Sequence, residues 1–213
     1  MTNRERWRFS LNVLVLAAVL IVSGCGSKAP AGQSSNDAGS KTAAWSKMPE
    51  MAIDLNHDYT ASIRTSKGDF VIRLYADEAP LTVNNFVFLA REGYYDGLTF
   101  NRIVENYMVL TEEPNRKGTA GPGYVIPDEL NTGLKYEEGI IAMANKGTPN
   151  SGGGQFFICT GDKALNLNQE PIYSIFGKVI SGMDIVQAIA DMPVKNNEPI
   201  EQIVIESIVI HEL

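Results

Sequence analysis

Apolar and polar positions alternate over residues 60–65 and again over residues 69–75, with Ser66-Lys67-Gly68 between them. A two-residue period turns successive side chains to opposite faces, so each run predicts a half-buried strand and the pair a hairpin. From Ala79 the period lengthens to three and four, and Val83, Phe86, Val87 and Ala90 form an apolar stripe. That spacing predicts a helix opened by Pro80 and closed by Gly93. After a turn at residues 94–97, residues 100–110 return to alternation and read as a strand with Phe100, Arg102 and Val104 on one face. A long Gly- and Pro-bearing stretch follows. Further strands are predicted at residues 139–144, 155–160 and 173–179, joined by loops at 145–154 and 161–171. Residues 183–190, with Ile185, Val186 and Ile189 apolar, predict a second helix, and the alternating Ile and Val of residues 200–210 a last strand. About eight strands joined mostly by loops, with two helices far apart, predict a mainly β fold: a closed eight-stranded antiparallel barrel with the helices over its openings.

The first 45 residues follow a different pattern. Arg4, Arg6 and Arg8 precede an apolar run at residues 11–22 broken only by Asn12. The run is short for a membrane span and suits a secretory signal. It ends in Val22-Ser23-Gly24-Cys25, which resembles the bacterial lipobox, where Cys25 is lipidated and becomes the mature first residue. An uncleaved anchor and an ordinary secretory cleavage are the alternatives. Residues 26–45 are small and polar and read as a flexible tether. The expected organisation is a signal peptide at 1–24, lipidated Cys25 and tether at 25–58, and a folded domain at 59–213. The expected location is extracytoplasmic, anchored to the cell membrane through Cys25.

Charge and reactive residues narrow the function classes. The net charge is −7, and removing residues 1–24 takes away three arginines and Glu5, leaving −9. No basic run interrupts the remainder, which argues against nucleic acid as a partner. Cys159 is then the only other cysteine, so no intramolecular disulfide is expected, and its apolar surroundings read as core rather than nucleophile. His57 and His211 are far apart, so a metal centre or a His-dependent nucleophile has little to build on. The chain is expected to need no metal or cofactor and to be a monomer. Arg102, near Tyr107 and Met108, is either a surface charge or a working cation on an apolar floor.

Several motifs bear on that choice. F-N-R-I-V-x-x-Y-M (100–108), G-T-A-G-P-G-Y (118–124), A-M-A-N (142–145) with Q-F-F-I (155–158), and I-F-G-K-V-I-x-G-M-D (175–184) occur in this order. Together they resemble the cyclophilin family of peptidyl-prolyl isomerases across roughly residues 60–210. The resemblance implies the closed barrel with two helices and gives Arg102 the catalytic role. Tyr107 and Met108 match the family's Phe-Met pair, Phe157 the floor of the proline pocket, and Leu167 the leucine completing it. Ala144 and Asn145 match residues whose backbone pairs with an extended peptide, and Gln155 a polar contact along the groove. The implied partners are X-Pro segments of exported polypeptides.

The chain departs from the family pattern at several positions. Leu110 stands where a glutamine is usual, and Thr111-Glu112-Glu113 replaces Gly-Gly-Asp. Asn166 stands where many members have tryptophan, and Tyr173 where many have histidine, after a loop lengthened by Gln169-Glu170-Pro171. The implied function is a prolyl isomerase assisting the folding of exported proteins at the membrane surface. The alternative is a proline-peptide binding or chaperone module with little turnover.

Overall fold

A computed structural model describes residues 45–113 and 121–213. The expected signal peptide, Cys25 and the tether as far as residue 44 lie outside the described residues. The elements are β1 (Tyr59–Thr65), β2 (Gly68–Leu74), α1 (Pro80–Arg91), β3 (Phe100–Val104), β4 (Met108–Thr111), β5 (Ile140–Met143) and β6 (Phe156–Cys159). A 3-10 helix (Asp162–Asn168) follows, then β7 (Ile175–Ser181), α2 (Met183–Ala190), β8 (Val194–Lys195), β9 (Glu198–Pro199) and β10 (Ile205–Glu212). Eight strands form one antiparallel sheet in the order β10-β1-β2-β7-β5-β6-β4-β3, and β8 and β9 pair separately. The sheet curls around an inner core containing Ile63, Ile72, Phe86, Phe156 and Phe176. The Phe86 ring of α1 meets Phe156 at 5.7 Å and Phe176 at 5.2 Å.

The barrel is not closed, contrary to the sequence expectation. β10 and β3 end the strand order and share no ladder. Between them lie one bridge, Thr99↔Val204, and hydrogen bonds such as Phe100 N–H to Ile203 O at 2.9 Å and Ile205 N–H to Leu98 O at 2.7 Å. The reason is local. The turn joining β8 to β9, with Asn196 and Asn197 at φ 55 and 67, reaches β3 and takes the Ile103 N–H on Asn197 O at 2.8 Å. A last strand expected from residue 200 therefore pairs only from Ile205.

The stretch 100–110 is also corrected: it is a hairpin, not one strand. Asn106 turns it in the left-handed region at φ 57, which asparagine tolerates better than most residues. Within β3 the register shifts between Phe100, opposite Thr111, and Arg102, opposite Leu110. Such a bulge adds one residue and re-aims the side chains after it. Phe100 and Ile103 are therefore both buried in the inner core while Arg102 is exposed outside. Arg102 and Phe100 do not share a face.

Ordered packing also begins before Tyr59. Trp45 meets the Phe88 ring at 5.2 Å, Ile53 is buried, and Asn84 of α1 accepts the Ala52 N–H at 2.8 Å while donating to Glu50 O at 3.0 Å. Residues 45–58 are thus a strap across α1 rather than tether. The same helix lacks a side-chain cap from its own Ala79. Glu129 supplies it from elsewhere, accepting from the N–H groups of Leu81 and Thr82 at 3.0 and 2.8 Å. A carboxylate there satisfies the orphan donors of the first turn and opposes the positive end of the helix dipole.

Candidate active site

The register of the central strands builds a second apolar layer on the outside of the sheet. Val109, Ile158 and Ile141 lie opposite one another and face inward, so their neighbours Leu110, Phe157 and Ala142 pair on the outer face. β5 and β6 are buried on both faces, and the outer cluster comprises Tyr136, Ile140, Ala142, Phe157, Cys159, Ala164 and Ile175. Phe157 is therefore not inner barrel core, and neither are Met108 and Leu167, which pack on that outer cluster.

A cavity of about 210 Å³ opens over this layer. Arg102, Tyr107, Met108 and Leu110 line it from the β3–β4 hairpin, Ala144, Asn145 and Gln155 from the β5–β6 connection, with Phe157 beneath and Tyr173 opposite. Leu167 lies apart from these nine. It lines an adjoining hollow of about 270 Å³ with Tyr107, Lys163 and Asn166.

Arg102 has no hydrogen bond or ion pair with another described residue, and its cross-strand neighbour is Leu110. The Phe157 and Tyr173 rings meet edge to face at 5.2 Å, a favoured aromatic geometry. Burial raises the Tyr107 hydroxyl pKa, Tyr173 and Cys159 raise it further, and Arg102 opposes the rise. Asn145 donates to Ile172 O at 2.7 Å and accepts from Gly147 N–H at 3.0 Å, so its side chain braces two loops. Gln155 donates to Thr111 O at 2.6 Å, and Ala144 N–H to Gln155 O at 2.9 Å. Glu112 accepts from Thr99 N–H at 3.0 Å and so serves the framework beside the groove. Burial pushes the Cys159 thiol up to about 12, which keeps it protonated and a poor nucleophile near neutral pH. Among the described residues no group of three His, Cys, Asp or Glu side chains is placed to hold a metal ion.

Sequence reasoning passed over two residues that shape this site. Tyr136 is 1% exposed and its hydroxyl donates to Tyr173 O at 2.6 Å. Asn168 holds the Tyr136 backbone from the 3-10 helix, accepting at 2.8 Å and donating at 2.9 Å. Tyr136 lies in the Gly- and Pro-bearing stretch, where no period marks a buried residue. Asn168 lies in what read as a loop. The only available signal was a large aromatic inside a polar segment.

Residues 60–210 match the family model described as cyclophilin type peptidyl-prolyl cis-trans isomerase/CLD. Peptidyl-prolyl cis-trans isomerase A of Mycobacterium tuberculosis is 36% identical over 170 residues, covering 71% of this chain and 91% of that protein. Peptidyl-prolyl cis-trans isomerase-like 1 of Emericella nidulans is 38% identical over 158 residues, covering 72% and 91%. A Cryptosporidium parvum cyclophilin type peptidyl-prolyl cis-trans isomerase, solved in the presence of the dipeptide Ala-Pro, superposes with a TM-score of 0.65 at 32% identity, covering 71% of this chain and 98% of that one.

Proposed function

The chain belongs to the cyclophilin-type peptidyl-prolyl cis-trans isomerases, and from that premise we propose that it turns X-Pro bonds in the cavity over Phe157, with Arg102 as the catalytic residue. The observation carrying this reading is the placement of a guanidinium, unpaired among the described residues, beside an apolar floor of Leu110 and Phe157. An X-Pro bond rotates slowly because amide resonance sets a barrier of about 18–20 kcal/mol. At the top of that barrier the nitrogen has lost conjugation and become a better acceptor. A cation aimed at it binds the twisted state more tightly than either planar state, which is the requirement for catalysis. Lowering the barrier by about 7 kcal/mol speeds the step roughly 10⁵-fold. No proton transfer, covalent intermediate or metal is needed, which agrees with a buried thiol held protonated beneath the site.

On this reading the floor and walls take the proline ring, and Ala144 and Asn145, which line the cavity, face the extended peptide. The Ala-Pro dipeptide used with the Cryptosporidium relative supports X-Pro segments as the substrate class. The lipobox-like Val22-Ser23-Gly24-Cys25 supports a lipid anchor, an extracytoplasmic location and exported polypeptides as clients. The test is a protease-coupled cis-to-trans assay on an X-Pro peptide with the full chain in mild detergent. Arg102→Ala is expected to lower kcat/KM by about 100-fold or more, the size of one lost electrostatic donor. An unchanged rate would remove Arg102 from the reaction.

A further inference from the structure

The Tyr173 wall of the groove is held by residues distant in sequence. Its ring stands at 82° to Phe157. Both of its backbone polar groups are bound by one hydroxyl: Tyr136 Oη donates to Tyr173 O at 2.6 Å and accepts from Tyr173 N–H at 3.1 Å. Tyr136 is gripped in the same double fashion. Its N–H donates to Asn168 Oδ1 at 2.8 Å, and its carbonyl accepts from Asn168 Nδ2 at 2.9 Å. Asn168 ends the 3-10 helix, and its neighbour Leu167 packs on the same outer cluster as Tyr136 and Phe157.

This wiring exceeds what burying a tyrosine requires. A single partner satisfies a buried hydroxyl. Inside the sheet the Tyr94 and Tyr95 hydroxyls are buried with none among the described residues. The Tyr136 hydroxyl instead acts as donor and acceptor toward one residue, which fixes both the place and the orientation of the chain at position 173. Through its backbone bonds to Asn168 the same residue ties that chain to the 3-10 helix.

We propose, resting on the reading of this cavity as an X-Pro site, that Tyr136 is a positioning residue that holds the Tyr173 wall in place over Phe157 and so fits the pocket to a five-membered ring. Tyr136 itself touches no substrate. It acts through the Tyr173 wall. A wall grips the proline ring in planar and twisted states alike, so loosening it weakens both equally. The loss then falls on KM and leaves kcat.

Tyr136→Phe keeps the ring and removes the hydroxyl. In the full chain its KM for an X-Pro peptide is expected to rise about fivefold, the size of one lost hydrogen bond, with kcat within about twofold. Preference for proline over its six-membered pipecolyl homologue is expected to fall by a similar factor. Asn168→Ala is expected to give the same pattern, and the double variant to add nothing further, as for residues acting as one unit. Unchanged KM and ring-size preference in folded Tyr136→Phe overturn the proposal, even if Tm falls, and so does a loss confined to kcat. If Tyr136→Phe does not fold, Asn168→Ala decides by the same two readouts. Arg102→Ala, assayed alongside, separates the two ideas. A rate loss there with unchanged KM in Tyr136→Phe removes the clamp alone, whereas no rate loss removes the reading of the cavity itself.

Discussion

Leu110 lies between two cross-strand partners, Arg102 on β3 and Phe157 on β6. Directly opposed strand residues have Cβ atoms about 4.5–5.5 Å apart, so whatever occupies position 110 decides what Arg102 meets on its own sheet. A guanidinium carries five donors and no acceptor. Here the leucine offers it nothing to bind, and no other described residue holds it by a hydrogen bond or ion pair. Catalysis by a fixed charge depends on the charge already pointing at the twisted amide. An Arg102 held by no described partner spends part of its effect on being ordered. Leu110→Gln places an amide oxygen beside the guanidinium and is expected to raise kcat/KM roughly three- to tenfold by improving that alignment. The same assay as for Arg102→Ala measures it. An equal or lower rate in the folded variant would show that Leu110 does not limit the reaction.

The elements around the groove are held by close approaches as much as by apolar burial. Gly161, just before the 3-10 helix, sits against the β3–β4 turn. A Cβ there would stand 2.0 Å from Asn106 Oδ1 and 2.9 Å from its backbone. Asn106 Oδ1 accepts the Asp162 N–H at 2.9 Å across the same contact. Gly161→Ala must therefore push the turn carrying Tyr107 away from the helix carrying Leu167. The expected cost is about 1–3 kcal/mol of stability, as for overpacking, read as a lower denaturant midpoint, together with weaker binding of an X-Pro peptide. A variant as stable as the parent would show that the contact relaxes freely.

This packing also explains what was legible in the sequence. β1, β2 and α2 have one wet face, so their periods of two and three to four are plain, and in α1, which is buried nearly all round, the polar Thr82, Asn84 and Asn85 still interrupt the apolar stripe. β5 and β6 are buried on both faces, and their apolar runs disclose a strand without saying which side chain faces the groove. The bulge that turns Arg102 outward leaves no mark in the alternation. Tyr136, Asn168 and Glu129 lie in stretches without a period, because their work is done by hydrogen bonds to remote segments. The motif resemblance located the groove residues that periodicity could not, and it carried the expectation of closure with it.

At the scale of the whole chain, the strap of residues 45–58 joins the domain to whatever precedes it. Trp45 anchors that strap through Phe88 and through its N–H to Pro122 O at 2.7 Å. A pull on the preceding chain therefore meets α1 packing first and the groove only indirectly. This arrangement suits the proposed membrane anchor, since the domain can be held at its N-terminal side without load on the X-Pro site. Cys25→Ser is expected to abolish fatty-acid labelling of the protein in cells and release it from the membrane fraction. Labelling that survives the substitution would end the lipoprotein proposal.

The incomplete seam has one more consequence, for how copies of the protein behave toward each other. The outer strands of any open sheet present unpaired N–H and C=O groups, and such edges recruit strands from other molecules. In this chain the two edges lie against each other, and the Asn196–Asn197 turn occupies the β3 edge at Ile103. α1 packs on β10. The contacts that fall short of closing a barrel still cover the edges where the two meet. At that seam a neighbouring copy would find little exposed edge through which to extend the sheet, even without a continuous ring of hydrogen bonds.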